Sequence, residues 1–191
     1  MRIEAGAHKG TKLIVPEGED VRPTSDRARQ AIFNMLIHRF DAVEGARVLD
    51  AFAGSGALGL EALSRGAESL VAMELARPAL DALKHNITAC HENARALVFA
   101  SDALKPAAAK MHPKFAPCSL IFLDPPYSKD LIAPALTALS AAGWLAPNAL
   151  IVAEMAARDA VPEGKTLSVE DERRYGKAKI VFLRSLIDKS N

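Results

Sequence analysis

The chain has 191 residues, half of them apolar and a quarter charged, and a formal net charge of +1. Those proportions fit one globular domain with a small appendage, able to bury a core without disulfide or metal support, and they exclude intrinsic disorder. No apolar run reaches the ~20 residues of a membrane-spanning helix, and Met1-Arg2-Ile3-Glu4 is not an apolar leader. Cys90 and Cys118 stand far apart without CxxC spacing, so a cytoplasmic protein is expected. His8, His38, His85, His91 and His112 form no HExxH pattern, and no metal is expected.

Residues 1–45 read as a separate N-terminal extension. Lys12-Leu13-Ile14-Val15 suggests a small strand that residues 2–5 can pair, and residues 16–20 a loop. Thr24 or Ser25 can cap a helix running to about His38, with Ala28, Ile32, Met35 and Leu36 on one face. From residue 46 the pattern alternates. Short apolar runs at 46–50, 69–74, 96–99, 119–124 and 149–153 predict strands buried on both faces of a parallel sheet. Helices are predicted between them at 58–64, 78–89, 102–110 and 131–142. Residues 46–191 therefore read as an α/β, Rossmann-like catalytic domain. After Pro162, residues 166–172 and 177–185 around Tyr175-Gly176 predict a closing antiparallel hairpin.

Two segments carry chemistry. Gly54-Ser55-Gly56 and Gly59 follow a strand and open a helix, the setting in which glycines let a backbone turn sharply and approach a ligand. Glu74 closes the next strand, where an acid can take ribose hydroxyls. Asp50 ends the first strand and faces the turn. It would repel a pyrophosphate but attract the sulfonium and α-ammonium of S-adenosylmethionine. Asp102, after the third strand, could meet an adenine amino group. Phe52, Ser55, Leu75 and Ala103 complete the candidate cofactor set with Asp50, Gly54, Gly56, Glu74 and Asp102.

The second segment is Asp124-Pro125-Pro126-Tyr127, directly after the fourth strand. Two prolines stiffen the turn and remove two N–H donors, leaving acceptors to point outward. The Asp124 carboxylate and the Pro125 carbonyl can accept both protons of an exocyclic amine while Tyr127 stacks on its ring, a contact worth roughly 1–3 kcal/mol for a nucleobase. Holding both hydrogens frees the amine lone pair to attack a sulfonium methyl by positioning and electrostatics alone.

Charge is uneven. From residue 173 onward six bases, Arg173, Arg174, Lys177, Lys179, Arg184 and Lys189, face one acid, Asp188, so this stretch carries +5 and the remainder −4. Such asymmetry can mark a polyanion contact, although on charge alone a solvated strand and tail is the better reading.

In this order, the glycine turn, Glu74, Asp102 and the Asp124–Tyr127 tetrapeptide resemble class I S-adenosylmethionine-dependent methyltransferases of exocyclic amines. Residues 22–36 and 50–66, Gly143-Trp144-Leu145 and Arg174-Tyr175-Gly176 are similar to the bacterial 16S ribosomal RNA guanine-N2 methyltransferase family. The resemblance implies a seven-stranded sheet with an antiparallel last strand, a small N-terminal extension that touches RNA, and a monomer acting on 16S ribosomal RNA or the assembling small subunit. It implies that Asp124, Pro125, Pro126 and Tyr127 hold the guanine N2 amine. The expected RNA or lid contacts are Lys9, Lys12, Arg22, Thr24, Asp26, Arg27, Arg173, Arg174 and Lys177. Gln30 stands where the family usually has glutamate, and Glu4-Ala5 and Thr11 replace its usual Ile-Gly and Arg. On the same fold, an adenine-N6 or cytosine-N4 DNA methylase or a protein glutamine-N5 methylase would use the same tetrapeptide. A nicotinamide-binding oxidoreductase or a nucleotide-sensing module are further alternatives.

Overall fold

A computed structural model describes residues 1–16, 26–126, 130–162 and 164–186. The strands are β1 (Arg47–Asp50), β2 (Ser69–Glu74), β3 (Ala96–Ala100), β4 (Cys118–Leu123), β5 (Leu145–Ala156), β6 (Leu167–Tyr175) and β7 (Ala178–Ser185). The helices are α1 (Asp26–His38), α2 (Ala57–Ser64), α3 (Arg77–Ala89) and α4 (Ile132–Ala141). One seven-stranded sheet runs β3-β2-β1-β4-β5-β7-β6. Strands β1 to β5 pair in parallel, and β7 pairs antiparallel with both β5 and β6. The α/β architecture and the antiparallel ending are those the sequence predicts.

The two-residue period of the strands divides the core cleanly. Val48, Leu70, Ala72, Leu120, Phe122, Leu150, Val152, Ile180 and Phe182 point to one face, where Ile32, Phe33 and Leu36 of α1, Leu60 and Leu63 of α2, and Leu83 and Ile87 of α3 cover them. Leu49, Val71, Met73, Ile121, Leu123, Ile151, Ala153, Val181 and Leu183 point to the other, under Ile132, Leu136 and Leu139 of α4 and Trp144. Burial on both faces is why these strands read as unbroken apolar runs rather than alternating ones.

The N-terminal extension is fastened to this core. Ile3 and Leu13 join its buried apolar residues. Fully buried Glu61 of α2 accepts the Glu4 and Ala5 amides at 2.8 and 3.1 Å. Glu4, one of the departures from the family pattern, pairs with buried Arg29 at 3.1 Å. The expected small strand is reduced to a single antiparallel bridge between Arg2 and Lys12. The cap expected from Thr24 or Ser25 lies outside the described residues.

Two expectations are corrected. No helix spans 102–110: a turn follows Asp102, and only Ala109–Met111 winds into a 3-10 turn. Pro106 has no amide to return to the Asp102 carbonyl, and the Ala109 amide, which a helix would give to Lys105, goes to the Ala142 carbonyl at 2.9 Å. The fifth strand begins at Leu145, not 149, because the chain pairs with Cys118 before bulging through Pro147 and Asn148, whose φ is +57°.

Candidate active site

In a parallel sheet the strand order reverses at one place, and ligands bind beyond the carboxyl ends of the strands there. Here β1 is followed in space by β2 on one side and β4 on the other, so the switch lies between β1 and β4. Asp50 ends β1, Glu74 ends β2, Asp102 follows β3 and Asp124 follows β4. All four acids expected from the sequence therefore share one edge. Asp50 is level with Phe122, so Asp124 lies two residues further along the adjacent strand, about 8 Å away from backbone spacing.

The glycine turn is fixed from several sides. Glu74 accepts the Gly54 amide at 2.8 Å through one oxygen and the Leu75 and Ala76 amides at 2.8 and 2.7 Å through the other. A carboxylate offers about four acceptor sites, so capacity remains for one hydroxyl. Asp50 accepts the Gly59 amide at 3.1 Å. Gly54 has φ +53° and nothing within 4 Å of where a Cβ would stand, leaving its surface open. Gly56 has φ +84°, and a Cβ there would come within 2.5 Å of Leu83 Cδ1. One glycine faces open space and the other fits under the helices.

Asp50 is 2% exposed; its Oδ2 takes the Gly59 amide, while its Oδ1 lacks a well-aligned partner and feels only the weak pull of the Phe52 amide. Burial raises its pKa to about 7; the Gly59 and Phe52 amides pull it down and the Glu74 charge pushes it up. A buried, incompletely satisfied acid next to a second acid creates a site that a cation relieves. Asp102 spends Oδ1 on the turn that follows it. Ala103 is buried beneath that turn, Phe52 is half-buried, Ser55 is buried, and Leu75 stands 67% exposed beside Glu74. Sequence reasoning missed Ser101, whose buried hydroxyl next to Asp102 lacks a partner.

Beyond β4, Asp124 is half-buried, Pro125 buried and Pro126 exposed. Tyr127 lies outside the described residues, as do Arg22 and Thr24; of Asp26 only the backbone, which starts α1, is described. Arg27 is exposed in the first turn of α1.

Residues 1–184 match the family described as Conserved hypothetical protein 95. The Escherichia coli K12 protein named Ribosomal RNA small subunit methyltransferase D is 38% identical over 162 residues, covering 85% of this chain and 78% of its own. Its namesake from Haemophilus influenzae is 37% identical, covering 81% and 78%. This chain belongs to that rRNA methyltransferase family. Escherichia coli yhhF, a solved structure assigned to the methyltransferases, superposes with a TM-score of 0.82 at 33% identity over 97% of each chain.

The family's cofactor chemistry fits the residues present. The acid-ringed edge, the unmatched Asp50 oxygen and the open face of Gly54 suit a ligand carrying positive charge and do not suit a pyrophosphate. Among the described residues, no group of three or more His, Cys, Asp or Glu side chains could hold a metal, and no helix is long and apolar enough to cross a membrane.

The expected RNA contacts divide into separate places. The β6–β7 turn passes β5 at Ala156, three residues beyond the end of β4 pairing at Ala153, so Arg173, Arg174 and Lys177 rise on the same edge as Asp124. Arg173 pairs with Asp171 at 2.8 Å and Arg174 with Glu172 at 3.2 Å, while Lys177 is exposed. Lys9 stands elsewhere: its neighbour His8 binds Ser64, which ends α2, and Glu92, which precedes β3. That is the opposite edge of the sheet. Lys12 is exposed on the strap between these places.

Proposed function

We propose that this protein transfers a methyl group from S-adenosylmethionine to the exocyclic N2 amine of a guanine in 16S ribosomal RNA, acting in the cytoplasm on the RNA or on the assembling small subunit. The observation that carries the reading is the pairing, across the β1–β4 switch, of a buried acid with an unmatched oxygen and an Asp124-Pro125-Pro126 turn on the adjacent strand. The names of the curated relatives support the RNA substrate.

When bound at this edge, S-adenosylmethionine would supply an electrophilic methyl carbon on a sulfonium, with a thioether as the leaving group. The protein's residues do the rest. Glu74 keeps an acceptor site for a ribose hydroxyl, and Asp102 faces the adenine end. Pro125 and Pro126 have no N–H, so the turn presents acceptors only. Asp124 and the Pro125 carbonyl take the two amine hydrogens and aim the nitrogen lone pair at the methyl carbon. The proton that becomes surplus on nitrogen passes to the Asp124 carboxylate and then to water. The base is turned out of its RNA context to reach this edge, and the Arg173, Arg174 and Lys177 tip holds the flanking phosphates.

Mass mapping of methylated nucleotides in 16S RNA from cells with and without this protein tests the reading. The expected result is one N2-methylguanine that disappears with the protein. Loss of a methylated adenine or cytosine instead, or no change, would overturn the assignment.

A further inference from the structure

Asn86 is a polar residue in the buried stripe of α3, among Ala79, Leu80, Ala82, Leu83 and Ile87. It is fully buried. Asparagine is a poor helix former, and a buried amide is costly unless its hydrogen bonds are met. Every bond it makes goes to the backbone of another segment. Its Oδ1 accepts the Ile14 amide at 2.8 Å, and its Nδ2 donates to the Ile14 carbonyl at 2.8 Å and to the Ser55 carbonyl at 2.9 Å. Both donors and one acceptor site are thus spent on two points more than 40 residues apart in sequence.

Those two points matter. Ser55 lies between Gly54 and Gly56, both at positive φ, in a turn that glycine leaves free to adopt other shapes. The carboxylates of Glu74 and Asp50 hold this turn at Gly54 and Gly59, and Asn86 holds it at Ser55. Ile14 lies two residues after Lys12, an expected RNA contact that is exposed on the same strap. The Ile14 side chain is 47% exposed, so the strap is held at this residue mainly by its backbone pairing with Asn86.

We propose that Asn86 is a positioning residue that couples the RNA-facing N-terminal segment to the cofactor turn, so that order on one side strengthens binding on the other. The inference rests on the proposed function, because it takes the Gly54–Gly59 turn as the cofactor site. Linkage makes it reciprocal: RNA tightens cofactor binding by the same factor that cofactor tightens RNA binding.

The test is calorimetric titration of S-adenosylmethionine into the full chain, with and without 16S RNA lacking the modification. It compares the wild type with Asn86→Asp and Ile14→Pro. Asn86→Asp keeps the acceptor for Ile14 but loses both donors. Ile14→Pro removes only the amide that Asn86 accepts, from an exposed residue on the strap. Both variants are expected to bind the cofactor on the order of five- to tenfold more weakly. Both should also lose the tightening that RNA produces in the wild type. A merely structural role for Asn86 predicts a lower melting temperature with unchanged cofactor Kd in folded Ile14→Pro, and that outcome overturns the inference. If Asn86→Asp fails to fold, Ile14→Pro alone decides. Wild-type chain that binds no S-adenosylmethionine would instead overturn the functional reading beneath it.

Discussion

The two halves of the sheet handle charge in opposite ways. On the β3-β2-β1-β4 side, short strands end in or lead directly to acids held by backbone amides: Glu74 by three, Asp50 by Gly59, Asp102 by Leu104. On the β5-β7-β6 side, longer strands end in bases paired with acids on their own strand, as in Arg173–Asp171 and Arg174–Glu172. Backbone amides are fixed, so the acids are pre-aimed and one of them, Asp50, keeps an unmatched oxygen. Exposed side-chain pairs contribute little, typically under ~1 kcal/mol, and exchange easily for a phosphate. Under the proposed function the first half takes a small cationic ligand and the second a polyanion. The halves differ in where their charges stand rather than in net charge: residues 145–191 hold eight bases against seven acids.

Removing the acceptor at the boundary between the halves should have the largest effect. Asp124→Ala is expected to lower single-turnover methyl transfer at least a hundredfold, the scale seen when a transition-state acceptor or donor is lost. Cofactor Kd should stay within about twofold, since the role proposed for Asp124 is toward the amine and not the cofactor. Near-normal transfer would show that the tetrapeptide does not hold the amine.

Much of this division was legible in the sequence because parallel strands leave apolar runs, each ending at or shortly before an acid on the ligand edge, although β3 proves to be a half-buried edge strand rather than one buried on both faces. Asp50, Glu74, Asp102 and Asp124 could be placed from that rule alone. The helix expected over 102–110 could not be rejected from pattern. What undoes it is partly Pro106 and partly tertiary: the Ala109 amide, which a helix would give to the Lys105 carbonyl, goes to the Ala142 carbonyl. The same holds for Asn86, whose role depends on partners at Ile14 and Ser55. A trace was visible, a buried-face position occupied by an amide, but its meaning required the fold. The RNA contacts that the resemblance implies carry no information about edges, and Lys9 and Lys177 lie at opposite edges of the sheet.

On the acidic side, Gly56→Ala tests whether the turn's shape is obligatory. The new methyl would meet Leu83 at 2.5 Å on a backbone with φ +84°. Strain and crowding together should cost about 1–3 kcal/mol, read as a lowered denaturant midpoint with an unchanged slope. A midpoint equal to wild type would mean that the turn relaxes without cost.

On the basic side, the combined substitution of Arg173, Arg174 and Lys177 by alanine should weaken RNA binding about tenfold at moderate salt. It should also flatten the slope of log K against log salt by about 2, close to one phosphate contact per base. Melting temperature and cofactor Kd should barely move. An unchanged salt slope would leave the tip as a solvated hairpin and shift the RNA contact to the N-terminal segment.

The finest test concerns Asp50, whose pKa burial raises to about 7. Because its folded value lies above its unfolded value near 3.8, the folded protein holds a proton there that the unfolded chain releases. This group's contribution to stability is therefore fully present below about pH 4, falls as pH rises towards 7, and is not regained above. A cationic ligand at the strand edge reverses the preference by favouring the carboxylate. Cofactor binding at pH 6 should then release protons, and affinity should rise a few-fold between pH 6 and 8. Titration at pH 6 in buffers of different ionisation enthalpy reads the proton release directly. Asp50→Asn removes the ionisable group, so its affinity should be lower and nearly flat with pH, while its stability should lose the decline between pH 4 and 7. If the wild type binds with no proton release at pH 6, the charge complementarity that distinguishes the two halves does not operate through Asp50.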